Sequence, residues 1–334
     1  MSTHAGRRGV ALISVLLIFF IATTVAVAMM QRQQIDIRQT ANLLQREQAY
    51  YYARGAEEFA LQILHQDLLD DIEQNLMVDH YGESWAQGIN FFEIDNGTLN
   101  ITITDLQGRF NINGIVEGST VNQSELERFR RLLSLLAIEQ SLADAIVDWI
   151  DSDQEPFSLD GAEDLVYLSK EPPYRTGDGP MACPSELLLI EGIDWEIYTT
   201  LEPHVVALPT LTEVNVNTAS ATVLQATIPN LDESGAIRLV EDRANDGFDN
   251  LDDFFQHPAL AGMDLPEEGL SVGSSFFIVN SAASFAGRSS YLSSWIYRQP
   301  EGSTVIARQI SPLPPPQVPK SNEPSLLTMQ LAVN

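Results

Sequence analysis

Apolar and polar positions divide the chain into a span, a stalk, a β-patterned stretch, a long helical stretch and a second β-patterned stretch. Val10 to Met30 is an unbroken apolar run of 21 residues without a charged side chain. As an α-helix it is roughly 31 Å long at about 1.5 Å per residue, matching a hydrocarbon core of about 30 Å. Its polar side chains, Ser14, Thr23 and Thr24, can bond back to their own helix. From Gln31 to Asp71 there is no proline, and Gly55 is the only glycine. Apolar and small residues recur there every three or four positions (Ile37, Ala41, Leu44, Ala49, Ala53, Ala56, Ala60, Ile63, Leu64, Leu68), the period of an amphipathic helix. Span and stalk together predict one helix of about 60 residues, on the order of 90 Å.

Phe91–Asp95 and Thr98–Asp105 read as strands around Asn96-Gly97, a strong hairpin signal, and Thr98 to Thr104 alternates as a strand with one buried face should. From about Asn122 to His257 the pattern changes to short helical segments with Asp, Ser and Pro punctuation. These are Ser124–Leu136, Ser141–Ile150, Pro184–Leu189, Trp195–Leu201, Ala219–Thr227 and Glu233–Ala244. Strand patterning resumes at Leu270–Ser281, Ser289–Arg298 and Thr304–Ile310. The fold class expected is α+β: an all-helical block of roughly 165 residues inside a sheet begun before it and finished after it. The tail from Ser311 has five prolines in its first thirteen residues and reads as extended or disordered.

Three kinds of N-terminal segment fit Arg7-Arg8-Gly9 followed by an apolar run. A secretory signal has an apolar core of about 7–15 residues and a small-x-small cleavage site. Ala26-Val27-Ala28 would serve as that site, but the run is too long and no turn-former precedes it. Arg7-Arg8 alone hints at a twin-arginine export signal. A glycine between basic and apolar blocks, as Gly9 is, resembles the prepilin peptidase site of type IV pilins and their secretion-system relatives. There the cut, here between Gly9 and Val10, leaves the apolar helix on the protein. The arginines hold that end in the cytoplasm. A helix that runs unbroken out of the span suits a pilin, whose long helix is both anchor and filament core. A solitary membrane anchor with a coiled stalk would share this pattern.

Composition narrows the partners. The net charge is −28, which repels nucleic-acid phosphates and suits an exported domain that binds divalent cations. Loss of a leader carrying Arg7, Arg8 and no acid takes −28 to −30. A single cysteine, Cys183, excludes an internal disulfide framework and is expected as a buried small apolar residue. The histidines (His4, His65, His80, His204, His257) form no pair at metal-ligand spacing.

Within the helical stretch an ordered set of short patterns occurs. They are Asp105-Leu-Gln-Gly108-Arg109-Phe110-Asn111-Ile-Asn113; Asp148-Trp149-Ile150-Asp151-Ser152-Asp153; Gly161-Ala162-Glu163-Asp164 with Tyr167; Pro172-Pro173-Tyr174; Ser185-Glu186-Leu187; Glu191-Gly192-Ile193; and Val214-Asn215-Val216-Asn217-Thr218-Ala219. Behind a pilin-type N-terminus, this order resembles the minor pseudopilin K family of type II secretion systems. The resemblance covers nearly all the chain except the Pro-rich tail. It implies a pilin-like fold, a long helix on a small antiparallel sheet, with a large all-α domain inserted in the sheet. It also implies a place at the tip of a periplasmic pseudopilus, in complex with minor pseudopilins I and J. The expected boundaries are a cleaved leader at 1–9, a membrane part at 10–30, an amphipathic part at 31–80, first strands at 90–105, the insertion at 106–269, remaining strands at 270–310 and the tail at 311–334. With Val10 as first mature residue the fifth is Ser14, where major pilins carry a glutamate that pairs with a neighbour's terminal amine. An unpaired carboxylate at that depth costs several kcal/mol, so a subunit lacking it need not dock on a filament already present and can enter first. Absence of that glutamate is a known trait of the resembled family.

The best candidate for chemistry is the acidic loop. Asp148, Asp151 and Asp153 are expected at the end of a helix, with Glu155, Asp160, Glu163 and Asp164 close behind and no Lys or Arg among them. Hard oxygen ligands without His or Cys suit Ca²⁺ rather than Zn²⁺, and the resemblance also implies structural calcium in this domain. The ligands expected first are Asp151, Asp153 and Glu163, then Asp148 and Asp164. The loop is not an EF-hand, because Pro156 stands where glycine is needed. A solvated acidic turn with aspartates capping helices is the alternative. A second cluster (Asp242, Asp246, Asp249, Asp252, Asp253) is expected to be caps and surface. Leu189–Ile193 and Asn215–Ala219 resemble helix-hairpin-helix units, which leaves a membrane-anchored DNA-binding or uptake protein, or another pilus-like minor pilin, as the competing function. The acidic neighbours Glu186, Glu191, Asp194 and Glu196 oppose phosphate over a Debye length of about 8 Å, so a shared fold without the function is favoured, with Thr218 an N-cap. No nucleophile-base pair or phosphate loop accompanies the carboxylates, so no enzyme is expected. The expectation is a non-enzymatic assembly subunit held in the inner membrane, its bulk in the periplasm, processed by prepilin peptidase and binding no nucleic acid.

Overall fold

The computed structural model describes residues 6–243, 246–266, 268–311 and 313–314; the first five residues of the expected leader and nearly all the Pro-rich tail lie outside them. Helix α1 runs from Gly6 to Gln74, 69 residues, about 100 Å. It exceeds the expected length because it continues through Gly9 and Val10 without a break. Leu12–Gln74 is the helix long and apolar enough to cross a membrane among the described residues, with a mean hydropathy of 2.7 in its most apolar window. Thr23 and Thr24 donate to the carbonyls of Phe19 and Phe20 at 2.6 and 2.8 Å. α1 stops at Gln74 rather than near residue 80, because Asn75 turns left-handed with φ 52°. The amides of Asn75 and Leu76 then close on the carbonyls of Ile72 and Asp71 at 3.2 and 3.0 Å, a Schellman ending.

Beyond α1 come α2 (Ser84–Gln87), β1 (Ile89–Ile94) and β2 (Gly97–Asp105), and after β2 the chain departs into the insertion. Its first lobe holds β3 (Phe110–Asn111), β4 (Val116–Glu117), β5 (Thr120–Val121), α3 (Gln123–Leu135), α4 (Leu142–Ile150), α5 (Asp164–Tyr167), α6 (Trp195–Leu201) and β6 (Val205–Val206). Its second lobe holds β7 (Val214–Asn215), α7 (Ala221–Thr227), α8 (Glu233–Asp242), α9 (Leu251–Phe255) and β8 (Leu270–Ser271). The insertion is therefore not wholly helical. β3 pairs in parallel with β6, and β7 with β8, so two-residue strands clasp the start of each lobe to its end. Each clasp leads into an Asn-x-Asn. The amide of Asn113 donates to the carbonyls of Met181 and Leu208 at 2.9 and 3.0 Å; that of Asn217 donates to the carbonyl of Phe248 at 3.0 Å. Buried backbone needs such partners, and here side-chain amides replace long ladders. The lobes have separate apolar cores, one around Phe110, Phe129, Leu132, Ile146 and Trp149, the other around Val216, Leu224, Leu239 and Phe254.

The chain returns as β9 (Phe276–Phe285), β10 (Arg288–Tyr297) and β11 (Thr304–Ser311). The antiparallel sheet has the order β1-β2-β9-β10-β11. β2 lies against β9 from Gly97↔Phe285 to Asp105↔Phe277, so the whole insertion occupies the place of one hairpin loop. Loop closure costs only about 0.6 kcal/mol more for each doubling of length, which lets a sheet tolerate such an insertion. At the β1–β2 turn the structure shifts the expected centre by one residue. Ile94 pairs with Gly97, Asn96 takes φ 61°, and Gly97 is needed because a Cβ there would lie 1.8 Å from the Ser284 carbonyl.

α1 lies across the sheet with Ala49, Ala53, Ala56, Ala60, Leu64 and Leu68 buried; the alanines let helix and sheet approach closely. Ile37, Ala41 and Leu44 continue this stripe in sequence, yet Ile37 and Leu44 are 62% and 59% exposed. The sheet reaches back to Asn42, whose side chain accepts from Arg288 at 2.6 Å, and among the described residues the helix before it is exposed. Glu57 is buried beneath the sheet and accepts two hydrogen bonds from Arg308, both 2.8 Å, with Ser294 and Arg54 as further donors. Burial opposes its ionisation, but those donors hold its carboxyl below the ordinary value. Arg308→Ala leaves a buried charge short of a partner and is expected to cost about 2–3 kcal/mol of unfolding free energy, read by urea denaturation.

Candidate metal centre and family

The acidic loop begins where α4 ends. Asp148 sits in the last turn of that helix and Asp151 directly follows it; the loop then doubles back so that Glu163 precedes α5. Phe157 N donates to Asp148 Oδ1 at 2.8 Å, and a Cβ on Gly161 would lie 2.2 Å from Asp148 Oδ2. Only glycine lets the returning chain pass the helix so closely. The result is that Asp151, Asp153 and Glu163 each place a carboxylate oxygen within 4.8 Å of the others.

Burial separates this group from a solvated turn. Asp151 and Glu163 are 5% and 4% exposed, while Asp153 is open to solvent. Asp151 Oδ1 and both oxygens of Glu163 are buried and meet no hydrogen-bond donor among the described residues. Burial first, then repulsion from Asp153 and Asp148, pushes Asp151 up to about 6. Burial, then Asp148, Asp151 and Asp153, pushes Glu163 up to about 7. Three buried acceptor oxygens whose lone pairs no donor engages fit a hard cation, whose oxygen ligands lie about 2.3–2.6 Å away for calcium.

The remaining sequence candidates divide. Asp148 borders the group and is itself raised by burial. Asp164 faces the neighbouring loop: its Oδ1 accepts from Thr176 N and Oγ1, both at 3.1 Å, and its Oδ2 pairs with Arg175 at 3.0 Å. Asp178, which sequence reasoning missed, contributes to the repulsion on both Asp151 and Glu163. It lies in Gly177-Asp178-Gly179, where a Cβ on Gly177 would meet Trp149 Nε1 at 3.0 Å; a glycine pair flanking an aspartate was the available signal. Asp242, Asp246, Asp249, Asp252 and Asp253 do not converge among the described residues. Asp242 instead meets His257 at 2.8 Å, and Asn250 caps α9 through Asp253 N at 2.9 Å. Cys183 is half-buried, its Sγ 2.9 Å from Ser185 Oγ.

Thr218 is not an N-cap. Ser220 caps α7, accepting from Val223 N at 3.3 Å, whereas Thr218 Oγ1 donates to Asp105 Oδ2 at 2.5 Å. Asp105 ends β2 and is fully enclosed. Ser274 Oγ and Asn215 Nδ2 donate to the same Oδ2 at 2.7 and 3.0 Å, and Gln107 N donates to Oδ1 at 2.8 Å. One carboxylate thus gathers the exit from the sheet, the start of the second lobe and the return to the sheet.

Two family models for type II secretion system (T2SS), protein K match residues 108–210 and 214–273, nearly the two lobes. A type II secretion system protein K from Pseudomonas aeruginosa is 38% identical over 312 residues, 91% of this chain and 93% of that protein. The chain belongs to the type II secretion system protein K family. Its relative from Klebsiella pneumoniae is 38% identical over 271 residues, 77% of this chain and 82% of that one. A chain in the crystal structure of the GspK-GspI-GspJ complex from the enterotoxigenic Escherichia coli type 2 secretion system superposes with a TM-score of 0.71 at 27% identity. It covers 82% of this chain and 99% of that chain. The α+β architecture is thus that of a solved member of this secretion machinery; of the ordered sequence patterns, Asp105–Asn113 and Val214–Ala219 fall at the two clasps, and Asp148–Asp153 and Gly161–Asp164 on the acidic loop.

Proposed function

We propose that this chain is a minor pseudopilin that starts and caps the type II secretion pseudopilus with minor pseudopilins I and J, so that folded proteins cross the outer membrane. Val10–Met30 holds it in the inner membrane before assembly, and the rest lies in the periplasm. Prepilin peptidase cuts between Gly9 and Val10. The protein is an assembly part rather than an enzyme; calcium at Asp151, Asp153 and Glu163 stiffens the loop of the first lobe. The observation that carries the reading is the uncovered apolar surface of α1 ahead of the sheet, where Ile35, Ile37, Leu43 and Leu44 are exposed. Ile37, Ala41 and Leu44 recur on one face of the helix, and an exposed apolar stripe of this kind marks a protein or lipid contact; the similar solved complex supplies the partner class. The two lobes, far bulkier than a hairpin loop, leave no room for a further subunit above.

Processing and packing are tested together. Mass spectrometry of the mature protein is expected to give Val10 as first residue; a chain beginning after Ala28 overturns the pilin reading. Leu44→Asp is expected to abolish co-purification of I and J from detergent while leaving the melting temperature unchanged, since Leu44 is 59% exposed and belongs to none of the apolar cores among the described residues. An intact complex with this variant counts against the helix face as the contact.

A further inference from the structure

A second acidic group lies at the far end of α1, away from the acidic loop. α1 presents Asp67 and, one turn later, Asp71; the chain leaves the helix, passes Asp79 and enters α2 after Glu83. Asp67, Asp79 and Glu83 each place a carboxylate oxygen within 4.8 Å of the others. Asp79 is 1% exposed. Its Oδ2 accepts from Ser274 N at 2.7 Å and Arg298 Nη2 at 2.5 Å, while its Oδ1 is buried and meets no donor among the described residues. Asp71 Oδ2 is stranded in the same way. The nearby cation is Arg298, which also binds Asp67 at 2.9 Å. That guanidinium binds Asp67 and Asp79 and also acts on Asp71. Glu83 is held in place by Trp85 Nε1 at 2.6 Å and His80 N at 3.0 Å, both on Oε2.

We propose that Asp67, Asp79 and Glu83 hold a divalent cation of the calcium class, separate from the acidic loop, which ties the end of α1 to the root of the inserted domain. All donors are carboxylate oxygens, without His or Cys among them, which selects hard cations. Oxygens bound to one calcium at 2.3–2.6 Å lie at most about 5 Å apart, so the observed spacing needs no rearrangement. Asp79 Oδ1 is the acceptor that meets no donor among the described residues. Burial, with repulsion from Asp105, raises Asp79 to about 7, and burial, with repulsion from Asp67 and Asp79, raises Glu83 to about 8; a bound cation relieves both. The tie is mechanical: Asp79 also offers its carbonyl to Asn215 at 3.0 Å, and Arg298 reaches the Ser274 carbonyl at 2.7 Å, so helix, sheet and second lobe meet at this point.

The test is a calcium count by isothermal titration on the full chain in detergent after removal of metal with EDTA. Wild type is expected to bind two ions, Glu83→Gln one, Glu163→Gln one and the double variant none. Hydrogen exchange at 75–88 is expected to slow with calcium in wild type and not in Glu83→Gln. Should Glu83→Gln fail to fold, Asp67→Asn, on the half-buried surface of α1, reads the same loss. A Glu83→Gln protein that binds as many ions as wild type overturns this site. An unchanged count in Glu163→Gln overturns the acidic-loop site instead, so the two failures are distinguishable.

Discussion

Glu163→Gln is expected to change the sign of its effect on stability when calcium is added. In EDTA at pH 8 the variant should melt at or above the wild-type temperature, because the glutamine removes a buried charge that repels Asp148, Asp151 and Asp153. In saturating calcium the wild type should melt higher. An ion at 100 times its Kd stabilises by about 2.7 kcal/mol, which for lobes of this size is about 5–10 °C. The pH dependence follows from the same repulsion. Glu163 is raised from 4.5 to about 7 in the folded protein, so the folded state holds a proton that the unfolded chain has released. Its contribution is present in full below about pH 4.5 and declines as pH rises, vanishing above about 7. Metal-free wild type should therefore lose stability across that window, and calcium should remove the slope. Differential scanning calorimetry of both proteins, with and without metal, reads all four corners. A Glu163→Gln effect of the same sign with and without calcium would sink the site.

The acidic loop shows what a sequence can and cannot disclose. The convergence of Asp151, Asp153 and Glu163 was legible because the loop is short and no Lys or Arg stands between 148 and 164. Asp178 was not, because it arrives through a return of the chain that sets Gly177 against Trp149 and lets Asp178 Oδ1 accept from Gln154 Nε2. The same division runs through the fold. The long helix, the split sheet and the helical segments follow from periodicity, which is local. The parallel clasps β3–β6 and β7–β8 carry no period, being two residues long and joined across an entire lobe, and appear as strands only once both lobes have closed. Thr218 looked like a cap because it precedes a helix; the nearby Ser220 took that role, and Thr218 was drawn to a carboxylate 113 positions earlier in the chain. The exposed stripe of Ile37 and Leu44 was periodic in sequence and uncovered in the monomer, since period reports that a face is buried, not by which chain.

Asp105→Ala is expected to be the most destabilising single change outside the apolar cores, at about 3–5 kcal/mol. The cost comes from the groups left over. Thr218 Oγ1, Ser274 Oγ, Asn215 Nδ2 and Gln107 N all donate to this one side chain, and each buried donor left unmet costs about 1–3 kcal/mol. Local relaxation, such as Asn215 turning wholly to the Asp79 carbonyl, keeps the total below the sum. Asp105→Asn separates charge from hydrogen bonding. The amide keeps one acceptor oxygen but adds two hydrogens among donors, so it should recover only part of the loss. Gly108 must stay glycine for the same turn to form, because a Cβ there would lie 2.8 Å from Thr218. Because Asp105 stands where the chain leaves the sheet, its loss should loosen the join between sheet and second lobe before either core melts. Hydrogen exchange on Asp105→Ala is then expected to show faster exchange at 105–109, 214–218 and 272–276, with the Phe129 and Phe254 cores still protected. Uniform loss of protection would mean that the carboxylate supports the cores themselves and not the join.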